Sequence, residues 1–230
     1  MSTQSTLGHM LDQVLPPMPP FLAMITRQAE NLAQGFSHAC EFLLEGEAVS
    51  RAALANREEK ARTLRLQHLS RLQQSFSTPI DRSDLLQAIT TLEAPMGTLH
   101  LVIEEMDALG ITSDNYCLEM AIVLREAAHA LHRGYGRLAD APGLAEPDAQ
   151  MGLECLPSVE RVYRRALAAI YAVEEDVQRL RAKEEQAEMN AFVHMVDILK
   201  RREIYLQFRS IAVQLSEAAA VLHGIVVQIG

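Results

Sequence analysis

The chain of 230 residues has no tryptophan, three cysteines, 11 glycines and 9 prolines. The cysteines, Cys40, Cys117 and Cys155, are odd in number and far apart, with no C-x-x-C pair. That spacing excludes a disulfide framework and a thiolate zinc site, and leaves buried reduced thiols as the expectation. No unbroken apolar run is expected to cross a bilayer. The start of the chain lacks the basic-then-apolar order of a signal peptide, so a cytoplasmic protein is expected. There is no excess of positive charge either. A net charge of −9 speaks against nucleic acid as a partner, because a phosphate backbone needs clustered cations. It also speaks against simple electrostatic adhesion to anionic lipid.

Apolar residues make up 49% of the chain and aromatics only 5%. With Leu, Ala, Glu, Arg and Gln abundant, this is the composition of a helical bundle. Residues 1–20 are polar and end in Leu15-Pro-Pro-Met-Pro-Pro20, which reads as an extended lead-in. Beyond it the apolar periodicity predicts six helices and no strand. The first spans about 21–47, with Phe21, Ile25, Ala29, Leu32, Phe36, Ala39 and Leu43 on one face. The second spans about 50–76, with Leu54, Ala61, Leu64, His68, Leu72 and Phe76 inward and a basic outer side including Arg51, Arg57, Arg62 and Arg65.

The third begins near Ser83 and ends at Gly110, kinked by Pro95. The fourth runs from about Asp114 to Leu138. A loop follows over 139–157, and the fifth helix runs from Ser158, as its N-cap, to about Glu188. The sixth covers about 197–228, with the boundary between five and six placed at Asn190 to Asp197. The whole is expected to be an all-α six-helix bundle over 21–230, divided into two three-helix repeats, about 21–112 and 113–230.

The junction between the second and third helices carries the most specific residue order. Pro79 lacks an amide hydrogen and pushes Thr78 out of the helical region, which stops the second helix. Asp81 is placed to cap the third helix, and Asp84 adds a negative charge in its first turn. Phe76 is expected to close the apolar face, and Arg82 to pair with an acid on a neighbouring helix. The order Phe76-Ser-Thr-Pro-Ile-Asp-Arg-Ser-Asp-Leu85 resembles the F-x-T-P-x-D-R-x-D-[IL] junction of the PhoU-like accessory proteins of inorganic phosphate (Pit-type) transport. Softer similarities run through Phe21-Leu22-Ala23-Met24, Gln28-Ala29-Glu30-Asn31-Leu32, Glu160-Arg161-Val162-Tyr163-Arg164 and Arg201-Arg202-Glu203-Ile204-Tyr205.

The resemblance implies a PhoU-like helical domain and a protein that is not an enzyme. It implies a cytoplasmic regulator, or one peripheral at the inner face of the membrane, that contacts an inorganic phosphate permease and reaches the membrane only through that partner. It also implies self-association as a homodimer, through a seam that any exposed apolar stripe could supply. Members of that family carry E-x-x-x-D motifs whose carboxylates bind iron or zinc. Here the corresponding positions hold Glu58 and Arg62, Glu93 and Ala94 with Gly97, Leu156 and Glu160, and Arg209 and Val213. The expectation is a divergent member without the metal clusters. Were a metal retained, Glu93, Glu126, His129 and Glu160 would be its candidate ligands. Glu126-x-x-His129 has the spacing of di-iron bundles, but the other acid–His pairs, His38 with Glu41 and His194 with Asp197, run in reverse order. Two further readings stand beside this one: a carboxylate–histidine metalloprotein, and a helical adaptor unrelated to phosphate. No catalytic arrangement and no phosphate-cradling glycine loop is present, since Gly134-Tyr-Gly136 belongs to a helix end.

Overall fold

The computed structural model describes residues 20–46, 48–172 and 187–229. Those residues form an all-α bundle, as the periodicity requires, with no strand among them. The helices are α1 (Phe21–Glu45), α2 (Ala48–Gln74), α3 (Arg82–Thr91), α4 (Ala94–Leu109), α5 (Asn115–Arg137), α6 (Glu146–Leu153), α7 (Cys155–Ile170) and α8 (Ala187–Ile229). A 3-10 turn at Pro142–Ala145 precedes α6. Six of the eight run for 16 residues or more. The lead-in, apart from Pro20, lies outside the described residues.

Helix α1 starts directly after Pro20 and stops at Gly46, which takes the left-handed conformation (φ 69°) and returns its amide to Phe42 O. Only glycine adopts that conformation without strain. Every residue of the expected α1 stripe is buried. Helix α1 lies between α2 and α5 and packs most extensively on α5. Helix α8 packs on α3 through α7 from the other side. One continuous core joins them, from Phe21 to Val226. Where α6 meets α8 the backbones come unusually close. A Cβ placed on Gly152 would sit 2.6 Å from Ala219 Cβ, nearer than two carbons can approach.

The structure departs from the sequence expectations in five places. The third helix is not merely kinked. It breaks into α3 and α4 at Leu92–Glu93, with Pro95 in the first turn of α4, because a proline cannot continue the hydrogen-bond ladder but suits a helix start. The stretch 139–157 is not a loop, because Pro142 and Pro147 likewise open a 3-10 turn and α6. Ser158 is not an N-cap: α7 already begins at Cys155, and Ser158 donates its amide to Glu154 O at 3.2 Å. The last helix begins by Ala187, so Asn190 to Asp197 is no boundary. What the fifth predicted helix does over 173–186 lies outside the described residues.

The fifth departure concerns hydropathy. By length and composition one helix does meet the criterion for crossing a membrane, Phe192–Ile229 in α8, within which an 18-residue window reaches a mean hydropathy of 1.6. Its apolar side chains include Phe208, Ile211, Leu215, Leu222 and Ile225, each fully buried against the other helices. Phe192, Val193, Met195, Leu199 and Val227 on the same helix stay exposed, so packing accounts for its inner stripe and not for the whole of its hydropathy.

Candidate functional site

The α2–α3 junction is built as a paired capping device. Asp81 is the N-cap of α3: its Oδ1 accepts from the Ser83 amide at 2.8 Å and from the Ser83 hydroxyl at 2.9 Å. Those two bonds hold the Asp81 carboxyl below the usual range, since they favour the charged form. Asp84 lies in the first turn of α3, as expected. Thr78 donates its hydroxyl to Ile80 O at 2.8 Å.

Two of the junction expectations are overturned. Among the described residues Arg82 pairs with no acid. It reaches back across the corner and donates to Leu72 O and, at 2.9 Å, to Ser75 O. Those carbonyls lie at and just beyond the end of α2, where Leu72 O also accepts from the Ser75 amide at 3.3 Å, and a guanidinium suits the negative end of the helix dipole. Phe76 closes no apolar face. Its side chain is 87% exposed, while Ile80, at 8%, plugs the core instead. The helix stops at Gln74, so Phe76 no longer follows the helical period that would have turned it inward.

At this corner lies a groove of about 310 Å³ lined by Leu69, Leu72, Gln73, Arg82, Ser83 and Leu86. It is bounded by α2 on one side and α3 on the other.

A buried polar relay runs through the helices next to this corner. The imidazole of His68 on α2 is 4% exposed, and its Nδ1 lies 3.0 Å from Gln28 Oε1. Gln28 on α1 in turn donates Nε2 to Ile89 O on α3 at 2.7 Å. Since the amide oxygen only accepts, Nδ1 carries the proton. Ile89 O is free for this bond because the helix breaks there: the Glu93 amide turns to Thr90 O. Burial, reinforced by Arg71 and Arg27, pushes the His68 pKa down to about 4. No motif marks this relay, and sequence reasoning placed His68 on the inner face without finding its partner 40 residues away.

The four candidate metal ligands are not brought together. Glu93 sits at the α3–α4 break with Arg65, at 3.8 Å. Glu126 pairs with Arg125 at 2.7 Å. His129 Nε2 lies 3.0 Å from Ser37 Oγ on α1, and burial lowers its pKa. Glu160 on α7 pairs with Arg209 on α8 at 2.9 Å. Glu58 is taken by Arg62, four residues on, at 2.6 Å. A carboxylate whose oxygens face a guanidinium has few lone pairs to give a cation, so this donor set does not fit a carboxylate-bridged metal cluster. Among the described residues no three His, Cys, Asp or Glu side chains stand close enough to hold an ion. The three thiols are buried and unpaired.

A second polar knot lies at the α4–α5 corner. Asp114 caps α5 by accepting from the amides of Tyr116 and Cys117 at 3.0 and 2.8 Å. Its other oxygen accepts from the Tyr205 hydroxyl at 2.5 Å and from Arg201 at 3.1 Å, which ties the corner to α8. Burial raises the Asp114 pKa, but the Tyr205 hydroxyl, the Cys117 amide and Arg201 outweigh it and hold the carboxyl below its ordinary range.

Fold and junction together define an all-α bundle with a capped α2–α3 corner. No family model matches this chain, and no curated protein matches it.

Proposed function

We propose that this chain is a non-catalytic accessory protein of inorganic phosphate transport, acting by contact with a membrane phosphate permease at the cytoplasmic face. The observation that carries the reading is the junction from Phe76 to Leu85. Its residue order resembles that of the PhoU-like proteins, and its Asp and Arg each have a defined structural task in capping the two helices. The all-α bundle supports the reading. On this reading the metal chemistry of the family has been replaced by ion pairs, as at Glu58–Arg62 and Glu160–Arg209. The bundle biases the permease by binding it and carries out no reaction.

The test is a deletion strain assayed for phosphate uptake and polyphosphate content, complemented with the chain. Changed uptake that the chain restores is the expected result. Unchanged uptake and polyphosphate overturn the proposal. Stoichiometric iron or zinc in the purified protein would favour the metalloprotein reading instead.

A further inference from the structure

A groove of about 220 Å³ opens between α1 and α2, lined by His38 from α1 and by Ala53, Asn56, Arg57 and Lys60 from α2. We infer that this groove binds a phosphate group, free or as a small monoester, with Arg57 and Lys60 as its cationic partners and Asn56 and His38 as further hydrogen-bonding partners.

The α2 residues recur at steps of three and four, so they share one face of the helix. Ala53 is small and leaves room between the longer side chains. Arg57 is anchored by the fold itself. Asn31 on α1, 1% exposed, donates Nδ2 to Arg57 O at 2.9 Å and accepts from Arg57 Nη1 at 3.4 Å. The stem is close to α1 as well: a Cβ placed on Gly35 would lie 3.7 Å from Arg57 Cβ. One edge of the guanidinium is thereby held, and its remaining donors are left for the groove. A fork fixed in advance loses little freedom when it meets an oxyanion, which is why arginine suits phosphate.

The charge of the groove is not cancelled from within. Arg51 is paired with Glu104 and Asp107, and Arg209 with Glu160. Among the described residues no carboxylate stands within ion-pairing distance of Arg57 or Lys60. The acids nearest in sequence are engaged elsewhere: Glu58 holds Arg62 at 2.6 Å and Glu41 holds His38 Nδ1 at 3.2 Å. Glu59 is exposed and does not line the groove. Two like charges on one wall repel, and an anion between them turns that repulsion into attraction. With Nδ1 engaged by Glu41, Nε2 is the ring nitrogen that His38 has to offer. An imidazole nitrogen donates to a phosphate oxygen or accepts from a phosphate hydroxyl, so either form of the anion is met. The volume lies below the range of about 300–1,000 Å³ that drug-sized ligands need, which suits a small anion and not a nucleotide. The inference does not rest on the transport reading: it uses only this groove, and unchanged uptake in the deletion strain would leave it standing.

Equilibrium dialysis of the full chain against radiolabelled inorganic phosphate and, separately, radiolabelled glycerol phosphate tests it, with potassium chloride as background salt. Saturable binding of one anion per chain is expected for at least one probe, and the tighter of the two tells a free phosphate site from a monoester site. Lys60→Gln and Arg57→Gln should each raise the dissociation constant about tenfold or more, as loss of a charge-assisted hydrogen bond does. Lys60 is exposed and makes no hydrogen bond among the described residues, so Lys60→Gln keeps the circular dichroism and melting temperature of the parent and reads binding alone. Arg27→Gln removes an exposed arginine of α1 that does not line the groove and should bind like wild type. No saturable binding of either probe up to about 10 mM overturns the inference. So does wild-type affinity in Lys60→Gln, an equal loss in Arg27→Gln, or acetate that displaces the label as well as unlabelled phosphate does.

Discussion

Acid should unfold this protein partly through one histidine, and the size of the effect follows from the relay at His68. The unfolded chain holds this imidazole at its ordinary 6.5, and the folded protein holds it at about 4. Below 6.5 the unfolded state therefore binds more protons than the native one. Stability from this group is fully present above the unfolded pKa and is lost as pH falls toward the folded value. The whole difference is worth about 3 kcal/mol, and about 2 kcal/mol of it is gone by pH 5. In a chain of this length that lowers the melting temperature by about 4–8 °C.

Other groups contribute acid sensitivity too, so the informative comparison is with His68→Gln, which keeps a donor for Gln28 and has nothing to titrate. Urea unfolding of both proteins at pH 7.5 and pH 5 gives four free energies, and the double difference isolates the histidine. The variant should lose about 2 kcal/mol less than wild type on acidification. Equal losses in the two proteins would refute the reasoning, because a histidine that is buried and neutral must charge on unfolding.

Three further outcomes follow from the packing. Gly152→Ala forces a methyl into Ala219 and should cost about 1–3 kcal/mol, less about 1 kcal/mol from better helix propensity. Gly97→Ala on α4 meets nothing within 4 Å and should stabilise by about 1 kcal/mol; thermal denaturation of the pair reads the contrast directly. Asp114→Ala removes the α5 cap, leaves the Tyr205 hydroxyl without its acceptor and leaves Arg201 to Asp197 alone, which should cost about 2–3 kcal/mol in chemical denaturation. The thiols should be inert in the native protein, because burial pushes Cys40 up to about 11 and Cys117 and Cys155 up to about 12. A thiol-exchange reagent at pH 8 should label them only after denaturant is added, since the thiolate is the reactive form.

The apolar stripes were legible in the sequence because burial imposes its period on the chain. The residues that α3 and α4 present inward, Leu85, Ile89, Leu92, Met96, Leu99, Ile103 and Met106, are all buried although the helix is broken between them. Pro95 announced a disturbance there. The consequence was not legible: a freed carbonyl at Ile89 is met by Gln28 from 61 residues away, and no local pattern records such a pairing. The prolines after Gly136 misled for a related reason. Proline ends a helix when it falls inside one and begins a helix when it falls in the first turn, so Pro147 reads as a loop until the position of α6 is known.

Phe76 shows where patterning stops giving direction. Extending the α2 stripe by four residues from Leu72 lands on it, and an apolar residue at that step belongs inside only while the helix lasts. The helix ends two residues earlier, at Gln74, and from there the backbone follows the bonds made by Ser75, Thr78 and Arg82. Those bonds leave Phe76 in solvent and turn Ile80 into the core. Phe76 is thus an apolar residue left exposed at a well-capped corner, where the end of the helix and not its own polarity set its direction. Serine at position 76 would leave the core and both caps intact. What the phenylalanine contributes is therefore not burial in the core, which Ile80 supplies at this corner.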